Sequence, residues 1–171
     1  MSQPEEKKAH GERHIEVFAE ASTISGWRKQ ALAGQRDTRA FTLVADEGPY
    51  MPGGEGTAPT PLTYFVAGMA LCVLSQVSNI AMRKKLSIRN ERVIVTAHFL
   101  ETGSILAGTK NGEAQRFEVA MHIESDEPAE AITDLMRMAH RMCFAEASIT
   151  NSVPLTFTHA LNNKPLELEI G

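Results

Sequence analysis

Alternating apolar and polar positions predict β-strands in the first third of the chain. The segment HIEVFAEAS, residues 14–22, has this period of two, which recurs in WRKQALAG (27–34) and TRAFTLVAD (38–46). Such a period is typical of a strand with one buried face, and residues 34–37 predict a turn between two of the strands. Residues 1–13 are polar and charged, which predicts a flexible N-terminal arm.

The period changes after a loop at residues 47–60 that contains four glycines and three prolines. Thr60 suits a helix N-cap, and Pro61 suits the first helical position. Apolar residues then occupy nearly all faces of residues 62–74, a pattern that predicts a buried helix. We expect this helix to end near Lys85, where successive basic residues complement the negative end of the helix dipole.

The second half of the chain predicts further strands around a second helix. Ser125 or Asp126 is the expected cap of this helix, and Asn162-Asn163 is the expected turn between the last two strands. The predicted elements are strands at 91–101, 115–125, 154–161 and 165–170 and one helix from Pro128 to Ala147.

This order contains too few helices for a series of parallel βαβ units. The fold class predicted from it is therefore α+β, with antiparallel sheets. No internal repeat or linker divides the sequence, so residues 14–171 are predicted to form a single domain.

Composition and charge exclude several classes of function. The chain has 171 residues and a net charge of −4, so no basic surface for nucleic acid is indicated. The most apolar run, Tyr64 to Leu74, covers 11 residues, whereas a membrane span needs about 20. Two cysteines are too few for a disulfide framework. We therefore expect a cytoplasmic protein with no membrane or nucleic-acid partner.

Few residues form patterns that carry chemistry. The glycine loop lacks the spacing of a phosphate or dinucleotide site, and the six histidines are scattered without metal-ligand spacing. No cofactor or metal site is therefore expected. Cys72 lies inside the apolar helix, and Cys143 lies near the end of the second helix. Periodicity alone leaves both open as inert, packed thiols or as reactive ones.

Two sequence motifs around the cysteines resemble those of one known family. The segment DEGPYMPGGEGTAPTPLTYFVAGMALC ends at Cys72, and AHRMC ends at Cys143. Together they resemble the OsmC/Ohr family, the osmotically inducible and organic-hydroperoxide-resistance proteins, over roughly residues 14–170. The matching positions are Gly53, Gly54, Pro61, Ala67, Gly68, Ala70, Cys72, Ala139, His140 and Cys143.

The resemblance implies a fold, an assembly and an activity. The implied fold has antiparallel sheets around a long buried central helix, in an intertwined homodimer with active sites near the subunit interface. The implied activity is a thiol-dependent peroxidase for organic hydroperoxides, acting in oxidative-stress defence. By this resemblance Cys72 attacks the peroxide, Cys143 resolves the resulting sulfenic acid as a disulfide, and an external dithiol reduces that disulfide. The two sulfurs are then expected within a few Å of each other, or within reach after a small movement.

An arginine that activates the reactive cysteine is also implied, held by a glutamate ten residues before that cysteine. Leu62 occupies the glutamate position here. Arg39 is the preferred arginine because its segment leads directly into the glycine loop; Arg28 and Arg36 are the alternatives. Glu47 or Glu55, both in the loop, could replace the carboxylate.

Leu62 keeps two other functions open. One is a catalytically silent member of the family that binds an apolar small molecule at the dimer interface. The other is a thiol redox sensor. An interaction or structural protein with no small-molecule chemistry is the weakest alternative, because it does not account for cysteines in two family motifs. His140 shares a helical face with Cys143, and its role is left open.

Overall fold

The structure is a computed structural model that describes residues 13–167. The chain divides into two compact units, with the boundary between Phe65 and Val66. The predicted arm at 1–13 lies almost wholly outside the described residues, as does the end of the predicted strand at 165–170. The elements in chain order are β1 (Val17–Ser25), β2 (Arg28–Gln35), β3 (Ala40–Ala45), α1 (Pro61–Lys84), β4 (Arg89–Thr102), β5 (Asn111–Glu124), α2 (Ala129–Met142), α3 (Phe144–Thr150), β6 (His159–Leu161) and β7 (Lys164–Leu166).

The first unit contains an antiparallel sheet in the order β1-β2-β3. Ala19 pairs with Ala33, and Ala33 pairs with Phe41, so the three alternating segments pair in sequence order as adjacent strands. The turn between β2 and β3 contains Asp37 with φ of 65°, a left-handed conformation that aspartate tolerates better than most residues. The three predicted strands and this turn are confirmed.

Asp46 anchors the glycine-rich loop that follows β3 by hydrogen bonds. Its side chain is 4% exposed. Its carboxylate accepts hydrogen bonds from the Thr57 backbone N–H (3.0 Å) and hydroxyl (2.8 Å). These bonds hold the pKa of Asp46 below its ordinary value. At the other side of the loop the Trp27 indole N–H donates to the Pro52 carbonyl at 2.7 Å.

Helix α1 begins and ends where the sequence predicts. The Thr60 hydroxyl accepts a hydrogen bond from the Thr63 N–H at 3.2 Å, which is the N-cap interaction. Pro61 is the first helical residue, and Arg83 and Lys84 occupy the last turn. Lys85 then leaves the helix with φ of 56°, a left-handed conformation that often ends helices.

One face of α1 is buried in the single chain, rather than its whole circumference. The buried residues recur three or four positions apart: Met69, Val73, Val77, Ile80 and Ala81. Leu71, on another face, is 64% exposed. The predicted buried helix is therefore buried along one stripe. In length and composition α1 also resembles a membrane span, with 24 residues and a most apolar window of mean hydropathy 1.7. Counted over its whole length, α1 is therefore long and apolar enough to cross a membrane, which is also true of core helices in soluble proteins.

The second unit packs α1 and α2 together beside a long hairpin. Strands β4 and β5 form an antiparallel pair in which Val95 lies opposite Val119. The core is a cluster of buried residues from both helices: Val77, Ile80, Ala81, Leu135 and Ala139. Partly buried side chains of β5, including Met121 and Ile123, pack against it. The observed architecture is α+β with antiparallel sheets, as predicted.

The predicted helix from Pro128 to Ala147 is wrong in its second half, because it is two helices. Helix α2 ends at Met142, Cys143 has extended backbone angles (φ −77°, ψ 111°), and α3 begins at Phe144. The predicted caps also differ. Pro128 occupies the N-cap position of α2, while the Ser125 hydroxyl donates to the Ser87 carbonyl at 2.7 Å.

The strand predicted at 154–161 is shorter than expected. Within the described residues, which end at 167, His159–Leu161 pairs with Lys164–Leu166, and the predicted turn at Asn162-Asn163 joins them. Both asparagines have positive φ, as a two-residue hairpin turn of type I′ requires. Residues 154–158 alternate in sequence but have no strand structure. Alternation therefore overestimated the pairing, because a strand also needs a neighbour to bond with.

Candidate functional site

The fold brings the two cysteines together within the second unit. Both are free thiols; Cys72 is half-buried on α1, and Cys143 is 1% exposed between α2 and α3. The Cys143 thiol is close enough to hydrogen-bond the Cys72 sulfur. The two sulfurs, 71 positions apart in sequence, therefore meet as the resemblance led us to expect.

The break between α2 and α3 determines the surroundings of Cys143. The Cys143 N–H donates to the His140 carbonyl at 3.1 Å and closes α2. Its carbonyl accepts from the Ala147 N–H at 3.0 Å and opens α3. Its sulfur accepts the Glu146 N–H at 3.4 Å, as the N-cap side chain of α3. In an uninterrupted helix that N–H would bond a backbone carbonyl instead. The break thus supplies the Cys143 sulfur with a backbone hydrogen bond.

The pKa of the Cys143 thiol is raised to about 11, from an ordinary 9.0, and burial is the largest cause. The hydrogen bond with Cys72 and the negative charges of Cys72 and Glu146 also act to raise this pKa, while the Glu146 N–H acts to lower it. Cys143 therefore keeps its proton at neutral pH. The contact consists of a protonated Cys143 thiol beside the Cys72 sulfur.

A histidine–glutamate pair adjoins the cysteines. His140 Nδ1 lies 2.9 Å from Glu146 Oε1 and 3.1 Å from Oε2. An ionised carboxylate can only accept hydrogen bonds, so His140 Nδ1 donates to Glu146. The other ring nitrogen of His140, Nε2, can then exchange a proton with another group. The Glu146 side chain is 17% exposed, and that of His140 is 44% exposed. The sequence marked His140 but not its partner, because the helix break that orients Glu146 has no sequence signal.

A cavity of about 470 Å³ lies beside this pair. Met69, one turn before Cys72 on α1, is one of its walls, and His140 and Glu146 are others. Phe117, Val119 and Ile149 make much of the remaining lining apolar. The cavity therefore offers an apolar space with a polar end at the His140–Glu146 pair.

The other predicted site residues belong to the first unit, whereas both cysteines belong to the second. Arg39 is exposed immediately before β3. The alternatives have carboxylate neighbours: Arg36 forms an ion pair with Glu16, and the charge of Arg28 acts on Asp46. The Glu47 carboxylate accepts a hydrogen bond from the Tyr50 hydroxyl. Glu55 and Leu62 are exposed, Leu62 by 52%.

No cluster of three or more histidine, cysteine, aspartate or glutamate side chains that could hold a metal ion occurs within residues 13–167. The cysteine site itself offers two thiols, one imidazole and one carboxylate.

Comparison with known proteins identifies the family. No curated protein sequence matches the chain. Its fold resembles an OsmC-like hydroperoxide resistance protein from Jannaschia sp. CCS1, with 22% identity, TM-score 0.58 and coverage of 90% of this chain and 99% of that one. An organic hydroperoxide resistance protein from Elizabethkingia anophelis has 20% identity, TM-score 0.55 and coverage of 83% and 93%.

A third similar structure is the organic hydroperoxide resistance protein OsmC from Legionella pneumophila, with 22% identity, TM-score 0.53 and coverage of 78% and 88%. At these identities the structures establish a common fold. The sequence profile of the OsmC-like proteins matches residues 54–158, a segment that contains both Cys72 and Cys143. The chain belongs to the OsmC-like protein family.

Proposed function

We propose that this protein is a thiol-dependent peroxidase that reduces organic hydroperoxides in oxidative-stress defence. The observation that carries the proposal is the contact between two free thiols, Cys72 and Cys143, within the matched family segment. Three proteins of the same fold are named for hydroperoxide resistance, which supports the same substrate class.

The chemistry assigns a different role to each cysteine. Cys72, as the thiolate, attacks the distal oxygen of the hydroperoxide; the O–O bond breaks, and the departing alkoxide takes a proton to become an alcohol. Cys72 is thereby oxidised to a sulfenic acid. The Cys143 thiol then attacks the Cys72 sulfur, and a disulfide and one water are formed. A dithiol reduces the disulfide by thiol–disulfide exchange and completes the cycle.

The burial of the two cysteines favours this assignment. Cys72 is half-buried, so a small molecule can reach it, whereas Cys143 is buried and protonated. The adjoining apolar cavity suits an alkyl or aryl tail, which favours organic hydroperoxides over hydrogen peroxide. Arg39 remains the proposed cation that activates Cys72.

We propose a cytoplasmic homodimer in which the partner covers exposed apolar surface of α1. Leu71 next to Cys72 and Met82 near the helix end are 64% and 71% exposed in the single chain. A protein partner would bury such residues. Free thiols suit a reducing compartment. No resident cofactor, nucleic acid or membrane is part of the proposal.

The test is peroxide consumption in the presence of a dithiol such as dihydrolipoamide. We expect wild type to consume cumene hydroperoxide faster than hydrogen peroxide, and Cys72→Ser to abolish the reaction. Cys143→Ser retains one stoichiometric reduction but becomes over-oxidised at Cys72, detected by mass spectrometry. Wild-type consumption no faster than that of Cys72→Ser would contradict a peroxidase.

The cavity also favours a second candidate, an OsmC-like protein that binds an apolar small molecule and has no turnover. Leu62 in place of the family glutamate fits this alternative, as does the apolar lining of the cavity. It predicts saturable binding of a fluorescent apolar probe that is weakened by Ile149→Arg, together with thiols that stay reduced in peroxide. Slow stoichiometric disulfide formation without turnover would indicate the third alternative, a redox sensor.

A further inference from the structure

We propose that the Glu146–His140 pair accepts the proton of Cys143 when this thiol attacks an oxidised Cys72. This inference deepens the proposed function and rests on the same pair of thiols. It gives a catalytic task to Glu146, which adjoins the reacting Cys143, and a positioning and proton-transfer task to His140.

Contacts on both sides of Glu146 support the assignment. Its backbone N–H donates to the Cys143 sulfur at 3.4 Å, and its carboxylate is close enough to act on the charge of that sulfur. Both carboxylate oxygens lie within hydrogen-bonding distance of His140 Nδ1. A proton taken from Cys143, directly or through one water, can therefore pass to the carboxylate and from it to the imidazole. His140 also lines the open cavity, where its Nε2 can exchange protons with water.

The state of Cys143 creates the need for a proton acceptor. A thiol attacks as the thiolate, yet burial, Cys72 and Glu146 raise the pKa of Cys143 to about 11. About one molecule in ten thousand then has a Cys143 thiolate at pH 7. A base that removes the proton as the sulfur–sulfur bond forms avoids this unfavourable ionisation.

Few other charged groups act on this position in the described part of the chain. Helix α1 contributes Met69 and Cys72, and strand β5 contributes the apolar Phe117 and Val119. Beyond His140 and Glu146, the remaining charged side chain on the cavity is Arg141. A pH dependence of Cys143 reactivity is therefore assigned to the thiols, the His140–Glu146 pair and Arg141.

The proposed step balances in atoms and electrons. In the peroxidase cycle, Cys72–S–OH and Cys143–SH give the Cys72–S–S–Cys143 disulfide and water, because the proton taken from Cys143 is returned to the leaving hydroxide. With an aromatic disulfide as oxidant, Cys72 first forms a mixed disulfide and releases one aromatic thiolate. Cys143 then displaces the second aromatic thiolate, and its proton passes to the Glu146–His140 pair.

The second displacement provides a test that does not need peroxide. Reduced full-length protein is mixed with less than one equivalent of a dithiobis(nitrobenzoate) reagent, and the second release of coloured thiolate is timed after the first is complete. Changes in Cys72 reactivity therefore do not enter the measured rate. The Cys143→Ser variant lacks the attacking thiol, so the thiolate release that it loses is the one caused by the attack of Cys143 on the mixed disulfide. Glu130→Gln removes an exposed carboxylate from α2 and is the matched control.

We expect Glu146→Gln to slow the second release at least about 100-fold at neutral pH, the usual lower range for loss of a general base. His140→Gln slows it as well, and Glu130→Gln leaves it unchanged. The Glu146→Gln rate then rises about tenfold per pH unit as the Cys143 thiolate forms without help. The wild-type rate levels off well below pH 11, the region in which Cys143 itself ionises.

The opposite result has an equally clear signature. If Glu146 acts by its charge alone, Glu146→Gln lowers the pKa of Cys143 and accelerates the second release. A rate equal to or above wild type overturns the inference. So does a wild-type rate that rises tenfold per pH unit until about pH 11, a result that requires no folded variant. If thiolate release follows the expected kinetics but no peroxide is turned over, the peroxidase function is rejected. The role of the Glu146–His140 pair as proton acceptor is then retained.

Discussion

The mutual influence of the two thiols can be measured through Cys72→Ala. This change removes the sulfur that accepts the Cys143 hydrogen bond and the negative charge that opposes a Cys143 thiolate. Burial and the Glu146 carboxylate still act on Cys143. We therefore expect the pKa of Cys143 to fall from about 11 but to stay above the ordinary 9.0. Each unit of decrease raises the thiolate fraction about tenfold below the midpoint.

The assay is the ultraviolet absorbance of the thiolate as a function of pH, which does not require a reagent to reach the buried sulfur. Cys72→Ala reports Cys143 alone, and the double variant Cys72→Ala/Cys143→Ala gives the baseline from other groups. In wild type two interacting thiols titrate in two steps that belong to the pair. The second of these steps is compared with the single step of Cys72→Ala.

An interaction between the two sulfurs is contradicted if the Cys72→Ala midpoint equals or exceeds the second wild-type step. That result would mean that burial and Glu146 determine the Cys143 pKa and that Cys72 does not raise it. The direct attack of Cys143 on Cys72 would then lose its structural support. A midpoint between 9.0 and about 11 supports both the contact and the retained burial.

Four further predictions concern stability and assembly. Leu135→Ala, at a fully buried core position, should lower the free energy of unfolding in urea by about 2–5 kcal/mol, whereas Leu106→Ala at a fully exposed position should leave it unchanged. The raised pKa of Cys143 contributes to the free energy of unfolding of wild type below pH 9.0. This contribution, at most about 3 kcal/mol, should be lost as the pH rises to about 11. Cys143→Ala should lack this pH-dependent contribution, and equal slopes of unfolding free energy against pH in the two proteins would contradict the prediction. The lowered pKa of Asp46 stabilises the folded state above pH 3.8, the ordinary pKa of this group, and this stabilisation is lost as the pH falls. Asp46→Asn should therefore make the free energy of unfolding depend less on pH in this acid range, as followed by circular dichroism. Leu71→Arg should convert the proposed dimer into a monomer in sedimentation velocity; an unchanged mass would place the interface elsewhere.

Local periodicity and loop chemistry predict most of the secondary structure. Alternation identifies β1 to β5, and Thr60 and Pro61 mark the start of α1, because a capping hydroxyl and a fixed φ act within one turn. The burial of α1 was less predictable. Its sequence is apolar around the helix, but the single chain covers one stripe. The sequence shows which positions of α1 are apolar, but burial also depends on which residues pack against those positions.

The break at Cys143 has no comparable local signal. Neither glycine nor proline lies between Ala129 and Ala147, and the surrounding residues favour a continuous helix. Tertiary packing overrides that preference, since Cys143 is buried against Cys72 and closes α2 with an extended backbone. Motif resemblance, rather than periodicity, led to the cysteine pair. The Glu146 contact with His140 depends on the break and was therefore not predicted.

The position of Glu146 bears directly on the absent family glutamate. A carboxylate at the Leu62 position would lie in the first turn of α1, whereas Glu146 lies on α3 beside Cys143. Burial is the main cause of the raised pKa of Cys143, and the negative charge of Glu146 adds to it. In the proposed peroxidase cycle Glu146 is therefore assigned to the attack of Cys143 on oxidised Cys72, and not to the role of the missing carboxylate in the first half. The activation of Cys72 is assigned to a cation, for which Arg39 is the proposed residue.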